Sequence, residues 1–271
     1  MKDWAHPIIY GDSNLLLSSV QEGLTVGLIT TFEPCCCDAD DDLKDIVAHK
    51  DLREFDYVPV KEGEEVVGLL HRSEYDVEDA TGQVREAMCP LRGDLIISAD
   101  AGILGYIESA DKRPCRLVLR GSRLDGIVTL SDLQKLPVRP VIFLLVTHLE
   151  LLMARWIRQH CQAEDEWLNR LHEDRRDKVN DKWADLEVNN LAIDKLTATE
   201  FADKRDVLLE LRSPDKKNKA KKELGRIERL RNSVAHAGDY ALTRENAKKT
   251  VTTVRAAQQW IADLQGDLES A

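Results

Sequence analysis

An arginine, an amide and a histidine lie within six residues near the end of the chain, in the segment Arg231-Asn232-Ser233-Val234-Ala235-His236. The arginine supplies a permanent cation for a phosphate, the asparagine supplies an amide for hydrogen bonding, and the histidine titrates close to neutral pH and can therefore move a proton. These side chains could hold a phosphodiester and assist its cleavage. We take Arg231, Asn232 and His236 as the candidate catalytic residues.

A basic run leads into this segment. Between Arg212 and Arg231 the chain has nine Lys and Arg residues against three Asp and Glu residues. The spacing predicts a helix from about Lys216 to Ala237, followed by Gly238, a residue common just past helix ends. Such a surface either attracts an RNA backbone electrostatically or is simply solvated. The RNA-binding residues predicted on it are Lys217, Lys221, Lys222, Arg226 and Arg229.

The charge of the chain is divided between its two halves. The formal net charge is −11, and residues 1–140 carry all of the excess, with 15 Lys and Arg against 26 Asp and Glu, whereas residues 141–271 carry 23 of each. This asymmetry predicts two domains with different partners. A length of 271 residues and an apolar content of 43% are sufficient for two ordinary domains with their own cores.

The sequence predicts a cytoplasmic protein without a membrane partner. The start of the chain lacks the basic and apolar pattern of a signal peptide. The most apolar window, Val141 to Met153, contains His148 and Glu150, and we expect it to be a buried helix that is too short and too polar to span a bilayer.

The six cysteines do not form a metal-binding pattern. Cys35, Cys36 and Cys37 are consecutive, the other three are scattered, and no Cys-x-x-Cys pair is present. No metal site is therefore predicted, and the consecutive cysteines are interpreted as small apolar residues at the end of a strand.

The acidic half contains an internal repeat. The segments Gly68–Tyr75 and Gly126–Leu133 share the order glycine, two apolar residues, two variable residues, serine, an acid and an apolar or aromatic residue, and Gly126 follows Gly68 by 58 residues. Each segment comes at the end of a pattern typical of two strands joined by a turn, and a predicted helix precedes that pattern. Ser131 and Gln134 have the spacing of a capping box, which predicts a helix directly after the last strand.

A repeat of this length, with the order β-α-β-β-α, resembles a pair of CBS domains, the Bateman module, over about residues 20–138. The resemblance implies an adenine or related nucleotide as a regulator. It also implies that Thr129 faces phosphate and that Asp132 accepts the ribose hydroxyls. In the first copy His71 and Glu74 replace these two residues, which leaves one predicted nucleotide site. The alternative is a folding and dimerisation module without a ligand.

The second half is predicted to be helical throughout, with short connections typical of a bundle. The predicted helices cover residues 141–160, 165–188, 200–211 and 216–237, and a last helix starts at Thr243 or Asn246 and ends at about Leu264. A bundle with Arg-Asn-x-x-x-His in its penultimate helix resembles a HEPN domain. This resemblance implies a metal-independent ribonuclease without a catalytic cofactor, a homodimer, a role in toxin or antiviral defence, and a partner protein such as an antitoxin.

The predicted fold class is therefore α+β. We expect an N-terminal extension at residues 1–20, a tandem CBS pair at residues 21–138, with copies at about 21–78 and 79–138, and an all-α HEPN-like bundle at residues 141–271. The predicted function is a nucleotide-sensing endoribonuclease in which the CBS pair regulates the helical domain. The alternative is a non-catalytic regulatory or RNA-binding scaffold.

Helix geometry limits what one chain can do at the predicted catalytic site. At about 100° per residue, Asn232 and His236 share a face, whereas Arg231 and His236 diverge by roughly 140°. Either the helix end is distorted, or two subunits each supply part of the site. In the predicted mechanism Arg231 neutralises the scissile phosphate, Asn232 orients His236 or the phosphate, and His236 acts as general acid or base. The RNA 2′-hydroxyl then attacks and leaves a 2′,3′-cyclic phosphate.

Overall fold

The computed structural model describes residues 13–188, 194–212, 216–236 and 238–270. Residues 1–12 of the predicted N-terminal extension and Ala237, the predicted last residue of the basic helix, fall outside these ranges. The chain divides into two compact units, and the fold is α+β, as the sequence predicted. One unit is Leu24–Pro137, and the other contains Val138 onward together with the first described helix, α1 (Ser13–Gly23).

The unit Leu24–Pro137 consists of two four-stranded sheets, one with the strand order β1-β8-β7-β6 and the other with the order β2-β3-β4-β5. The strands are β1 (Thr31–Phe32), β2 (Cys37–Asp38), β3 (Tyr57–Glu62), β4 (Glu65–His71), β5 (Cys89–Pro90), β6 (Ile96–Ser98), β7 (Cys115–Arg120) and β8 (Arg123–Thr129). The unit also contains three short α-helices, α2 (Leu43–Ala48), α3 (Val84–Ala87) and α4 (Ile103–Ile107), and several 3-10 turns.

Each sequence copy forms an antiparallel hairpin, β3–β4 in the first copy and β7–β8 in the second. The turns contain Gly63 at φ +59° and Gly121 at φ +61°, a left-handed conformation that glycine adopts without steric cost. The registers of the hairpins correspond, because Tyr57 lies opposite His71 and Cys115 lies opposite Thr129. The repeat in the sequence is therefore also a repeat in the structure.

The two copies exchange their leading strands. β1 belongs to the first copy but pairs with β8 of the second, so that Phe32 lies opposite Gly126. β5 belongs to the second copy but pairs with β4 of the first, so that Pro90 lies opposite Gly68. Because each sheet contains a strand from the other copy, residues 21–78 and 79–138 describe the repeat along the chain but do not fold as two separate halves.

The exchange explains why both copies have glycine at the same repeat position. A Cβ on Gly126 would lie against the Thr30 methyl group and 3.2 Å from the carbonyl oxygen of Thr31. A Cβ on Gly68 would lie 2.7 Å from the carbonyl oxygen of Cys89. In both sheets the incoming strand therefore passes too close for a side chain at this position.

The buried cysteines of this unit contribute to its apolar cores. Cys37 packs in the core of the first copy with Val58 and Leu70, and Cys115 packs with Leu69 between the hairpins. Burial raises the pKa of the Cys37 thiol to about 12. These two thiols are protonated at neutral pH and pack as small apolar groups. The sequence predicted three small apolar residues at the end of a strand, but only Cys37 is buried, it begins β2, and Cys35 is exposed.

The helical unit is built around α5 (Val138–His160), which packs against α1, α8, α9 and α10. The other helices are α6 (Glu164–Leu168), α7 (Glu173–Glu187), α8 (Phe201–Arg212), α9 (Lys217–Ala235) and α10 (Arg244–Ser270). The sequence predicted one helix over residues 165–188, but α6 and α7 are separated by a turn. Trp167, Leu168 and Leu171 are all buried around that turn, so their helical spacing continues across the break and conceals it.

The central helix is longer than the sequence indicated. α5 has 23 residues, and an 18-residue window in it has a mean hydropathy of 1.6, so by length and composition alone it could cross a membrane. However, 61% of that window is buried inside the protein, as in the core helix of a bundle. The described part of the N-terminal extension lies in α1, which packs on this helix.

We predict that Gly126→Ala lowers the free energy of unfolding by about 1–3 kcal/mol, because the new methyl group overpacks the junction with β1. Gly105→Ala is the matched control, since a Cβ there meets nothing within 4 Å inside the short helix α4. It should leave the stability unchanged or raise it slightly. Urea unfolding of both variants measures the difference, and equal midpoints would contradict the steric argument.

Candidate functional site

The candidate catalytic segment lies where α9 ends. The helix stops at Ala235, and His236 is its C-terminal cap residue. The backbone N–H of His236 donates to the carbonyl of Asn232 at 3.0 Å, and that of Gly238 donates to the carbonyl of Ser233 at 2.7 Å. A Cβ on Gly238 would lie 3.2 Å from that same Ser233 oxygen, so glycine suits this tight closure. His236 therefore lies at an ordered helix end.

Arg231 lies on the inner side of α9, together with the buried Leu230 and Val234. Its side chain is 28% exposed, and its Nη2 lies 3.4 Å from Oε2 of Glu150 in α5. The guanidinium is therefore only partly accessible, and an acid on a neighbouring helix compensates its charge.

Glu150 binds a second cation with its other oxygen. Nζ of Lys204, in α8, donates to Oε1 of Glu150 at 3.0 Å and to the carbonyl of Thr199 at 2.8 Å. Burial lowers the pKa of Lys204, and the neighbouring Glu150 raises it in partial compensation. One carboxylate thus links α5, α8 and α9 and places Arg231. Glu150 and Lys204 were absent from the predicted site, although an acid within the most apolar segment was a usable signal.

His236 and Asn232 lie on the outside of the bundle, and both are exposed. In the described part of the chain their side chains have no hydrogen bond or ion pair. Asn232 and His236 therefore lie on one exposed face of α9, whereas Arg231 lies on its inner side. This is the divergence that ideal helix geometry predicted, and one chain does not assemble the three groups at a single point.

A row of exposed cations continues the face of His236. Lys222, Arg226 and Arg229 are exposed, and steps of four, three and seven residues lead from Lys222 to His236. These steps keep all four side chains within one narrow stripe about 21 Å long. Arg226 lies 3.9 Å from Glu223, and the described residues provide no ion pair for Lys222 or Arg229.

The other two predicted RNA-binding lysines have acidic neighbours on α8. Lys217 pairs with Glu210, and Lys221 lies 3.2 Å from Asp206. The basic run of the sequence is therefore two surfaces in the structure: a charge-compensated surface beside α8 and an exposed row that ends at His236.

The predicted nucleotide residues lie together at the end of β8. The carboxylate of Asp132 accepts from the backbone N–H of Thr129 at 2.6 Å and from its hydroxyl at 3.1 Å. These bonds cap the 3-10 helix Leu130–Gln134, so the capping residues are Thr129 and Asp132 rather than the predicted Ser131 and Gln134. The other oxygen of Asp132 pairs with Lys135 at 2.7 Å.

Lys135 was missing from the predicted site. Its Nζ also donates to the carbonyl of Ile29 at 2.6 Å, and it is 37% exposed. Lys135 therefore places an accessible cation beside the two predicted nucleotide residues. It lies three residues after the acid, a helical spacing that could have indicated it.

The first copy has a different pair at the equivalent position. Nδ1 of His71 lies 2.6 Å from Oε1 of Glu74, and the imidazole stacks on Tyr57 with ring centroids 4.3 Å apart. The aromatic ring occupies the place of Cys115, which lies opposite Thr129 in the second copy. The two junctions therefore have the same backbone but different chemistry.

A cleft of about 690 Å³ opens at the opposite end of the hairpins, beside their turns. Its lining includes the cations Lys61, Arg120 and Arg123, and the acids Glu33, Glu64, Glu65 and Asp125. Thr129 and Asp132 do not line it, because the seven residues of β8 separate them from the turn by roughly 20 Å. This cleft is therefore distinct from the predicted nucleotide site.

Comparisons with known proteins found no matching family model and no matching curated protein. Solved structures of CBS domains are similar to about half of the chain. The CBS domain of a bacterial CNNM/CorC family Mg²⁺ transporter in complex with ATP has 19% identity and a TM-score of 0.38, covering 47% of this chain and 95% of that one.

Two further CBS structures have comparable similarity. The CBS domains of a transcriptional regulator from Streptococcus pneumoniae have 18% identity and a TM-score of 0.33, covering 39% of this chain and 92% of that one. A hemolysin-like protein containing a CBS domain, from Oenococcus oeni, has 13% identity and a TM-score of 0.36, covering 44% of this chain and 93% of that one. The HEPN resemblance of the helical half stays a prediction.

We predict that Glu150→Gln lowers the free energy of unfolding at neutral pH by about 2–3 kcal/mol, because the buried Lys204 loses its counter-charge. The pKa of Lys204, already lowered by burial, should fall further. Between that pKa and the pKa of an unfolded lysine, only the unfolded state holds the proton, so stability rises with pH there.

The deficit of Glu150→Gln should therefore shrink as the pH rises towards about 10, the range of free lysine. Denaturant unfolding of the wild type and of Glu150→Gln at several pH values across this range measures the deficit. Glu210→Gln is the control, since it removes the exposed partner of Lys217 and should change stability by less than about 0.5 kcal/mol. A pH-independent deficit would contradict the role assigned to Lys204.

Proposed function

We propose that this protein is a CBS-type regulatory protein whose helical unit cleaves RNA without a metal ion. The observation that carries the proposal is the position of His236, an exposed imidazole at an ordered helix end, in line with the exposed cations Lys222, Arg226 and Arg229. A cationic row attracts a phosphate backbone without reading its bases. An imidazole at its end can exchange a proton with a bound 2′-hydroxyl.

The proposed active site contains residues of two chains. Within one chain, Glu150 holds Arg231 on the inner side of α9, while His236 lies on the outer side. Arg231 keeps 28% of its side chain exposed and is therefore still within reach of a phosphate at a partner's surface. In a homodimer, Arg231 of one chain would neutralise the charge on the phosphate, and His236 of the other would transfer the proton.

We propose an adenine or related nucleotide as the ligand of the repeat unit, at Thr129 and Asp132. One oxygen of Asp132 is fully engaged by Thr129, whereas the other bonds only the exposed Lys135 and retains a lone pair for a ribose hydroxyl. Lys135 is the cation beside this carboxylate, and a phosphate would compete with Asp132 for Lys135 and for the hydroxyl proton of Thr129. The His71–Glu74 pair of the first copy provides neither a hydroxyl nor a free cation, which supports a single site.

The second candidate function is a non-catalytic RNA-binding scaffold. The observation in its favour is the Arg231–Glu150 contact, because an arginine already paired inside a bundle can be purely structural. The role in toxin or antiviral defence and the antitoxin or other protein partner are further proposals that derive from the sequence resemblances. The cytoplasmic location is a proposal that derives from the pattern of apolar and charged residues.

The first test is RNA cleavage in EDTA, with complementation between inactive chains. His236→Ala and Arg231→Ala should each abolish cleavage. When the two variants are co-expressed in equal amounts, about half of the dimers are mixed, and each mixed dimer has one intact site of two, so about a quarter of the wild-type activity returns. If each active site lay within one chain, the mixed dimers would not cleave RNA.

The same assay separates the two candidate functions. Wild-type protein that binds RNA in a gel-shift assay but does not cleave it would reject the nuclease and favour the scaffold. Equal cleavage by wild type and His236→Ala, or cleavage only after a metal ion is added, would reject the mechanism. A monomer in analytical ultracentrifugation would reject the two-chain site.

The second test is a thermal shift with AMP. A ligand at 100 times its Kd stabilises the folded state by about 2.7 kcal/mol, which raises Tm by several degrees. The wild type and Glu74→Gln should both show this shift, and Asp132→Asn should lose it. Each variant is compared with itself without AMP, because Asp132→Asn also weakens the cap of a 3-10 helix. A shift retained in Asp132→Asn would contradict the assigned site.

A further inference from the structure

The chain around His236 is held by an arginine from another helix. Arg139, in the first turn of α5, donates to the carbonyl of Val234 at 3.5 Å and to that of Gly238 at 3.2 Å. Val234 and Gly238 lie two residues before and two residues after His236. One guanidinium therefore holds the backbone on both sides of the proposed proton-transfer residue.

The same guanidinium also contacts the next part of this segment. It lies over the ring of Tyr240, 5.3 Å from the ring centroid. Tyr240 is buried, burial raises its pKa to about 12, and its carbonyl accepts from the hydroxyl of Thr250 in α10 at 2.8 Å. Val234, Gly238 and Tyr240 are therefore held by contacts with α5, and Tyr240 is also held by α10.

Arginine is chemically suited to this position. The last carbonyls of a helix have no partner within the helix, and a cation near them is favoured by the helix dipole. A guanidinium is planar and has several N–H groups in a rigid arrangement, so it can bond two separate oxygens and still lie flat on an aromatic ring. The compact ammonium of a lysine does not combine these contacts.

We propose that Arg139 is a positioning residue for His236: by holding the carbonyls of Val234 and Gly238 and packing on Tyr240, it sets where the imidazole lies. The inference rests on the proposed role of His236 in RNA cleavage. Arg139 follows Pro137, the last residue of the repeat unit, by two positions. This contact is therefore adjacent in the chain to the joint between the two units.

The test compares full-length Arg139→Gln and Arg139→Lys with the wild type. Arg155→Gln is the matched control, because Arg155 is an exposed arginine of the same helix. Loss of positioning should lower kcat for RNA cleavage about 10- to 100-fold with KM unchanged, since a small displacement of a catalytic group is enough for such a loss. Arg139→Lys should not restore the rate, and Arg155→Gln should behave like the wild type.

A second readout does not depend on catalysis. In Arg139→Gln the backbone amides of His236 and Gly238 should exchange with solvent faster, and the NMR signals of the His236 ring should shift, whereas Arg155→Gln should leave both unchanged. Arg139→Lys keeps the positive charge near the helix end and supplies the same measurements if the glutamine variant folds poorly.

The outcomes separate the two proposals. If the wild type does not cleave RNA, the proposed function fails, and the exchange and NMR measurements still decide whether Arg139 positions His236. Unchanged amide exchange and ring signals in both Arg139 variants would overturn the positioning role. A loss of RNA affinity with kcat unchanged would also overturn it, because that result would assign Arg139 to RNA binding.

Discussion

The helical unit depends on the one carboxylate of its central helix, α5. Glu150 accepts from Lys204 with one oxygen and pairs with Arg231 through the other, and in this way it joins α5 to α8 and α9. Lys204 is almost completely buried, so its charge is tolerated only because Glu150 and the carbonyl of Thr199 compensate it. Because Arg231 shares the same acid, the stability of the bundle and the geometry of the proposed site are linked.

The two sides of α9 have different roles. The inner side packs Ile227 and Leu230 into the core and holds Arg231 against Glu150, whereas the outer side presents cations and then His236. A straight helix cannot turn both groups to one phosphate. The arrangement therefore suits a site shared between two chains, in which the rigid inner side of one subunit and the accessible outer end of the other each supply a group.

Much of the fold could be predicted from local patterns. The repeat, its two hairpins and the helical second half follow from turn glycines and from periodic apolar residues, which report on neighbours along the chain. The exchange of β1 and β5 could not be predicted in this way, because each strand has only two residues and pairs with a distant part of the sequence. The break between α6 and α7 was hidden by apolar residues that keep their helical spacing across it.

For the site, the chemistry follows from the sequence alone: Arg231, Asn232 and His236 are spaced along a helix, and Thr129 and Asp132 follow a strand. Residue type and helical period are local properties, so they can be inferred without coordinates. The contact of Glu150 with Arg231, the hold of Arg139 on both sides of His236 and the acids beside Lys217 and Lys221 are visible in the folded bundle but not in the sequence. Partners of this kind come from helices far apart in sequence, and the packing of the whole bundle, rather than any local pattern, brings them together.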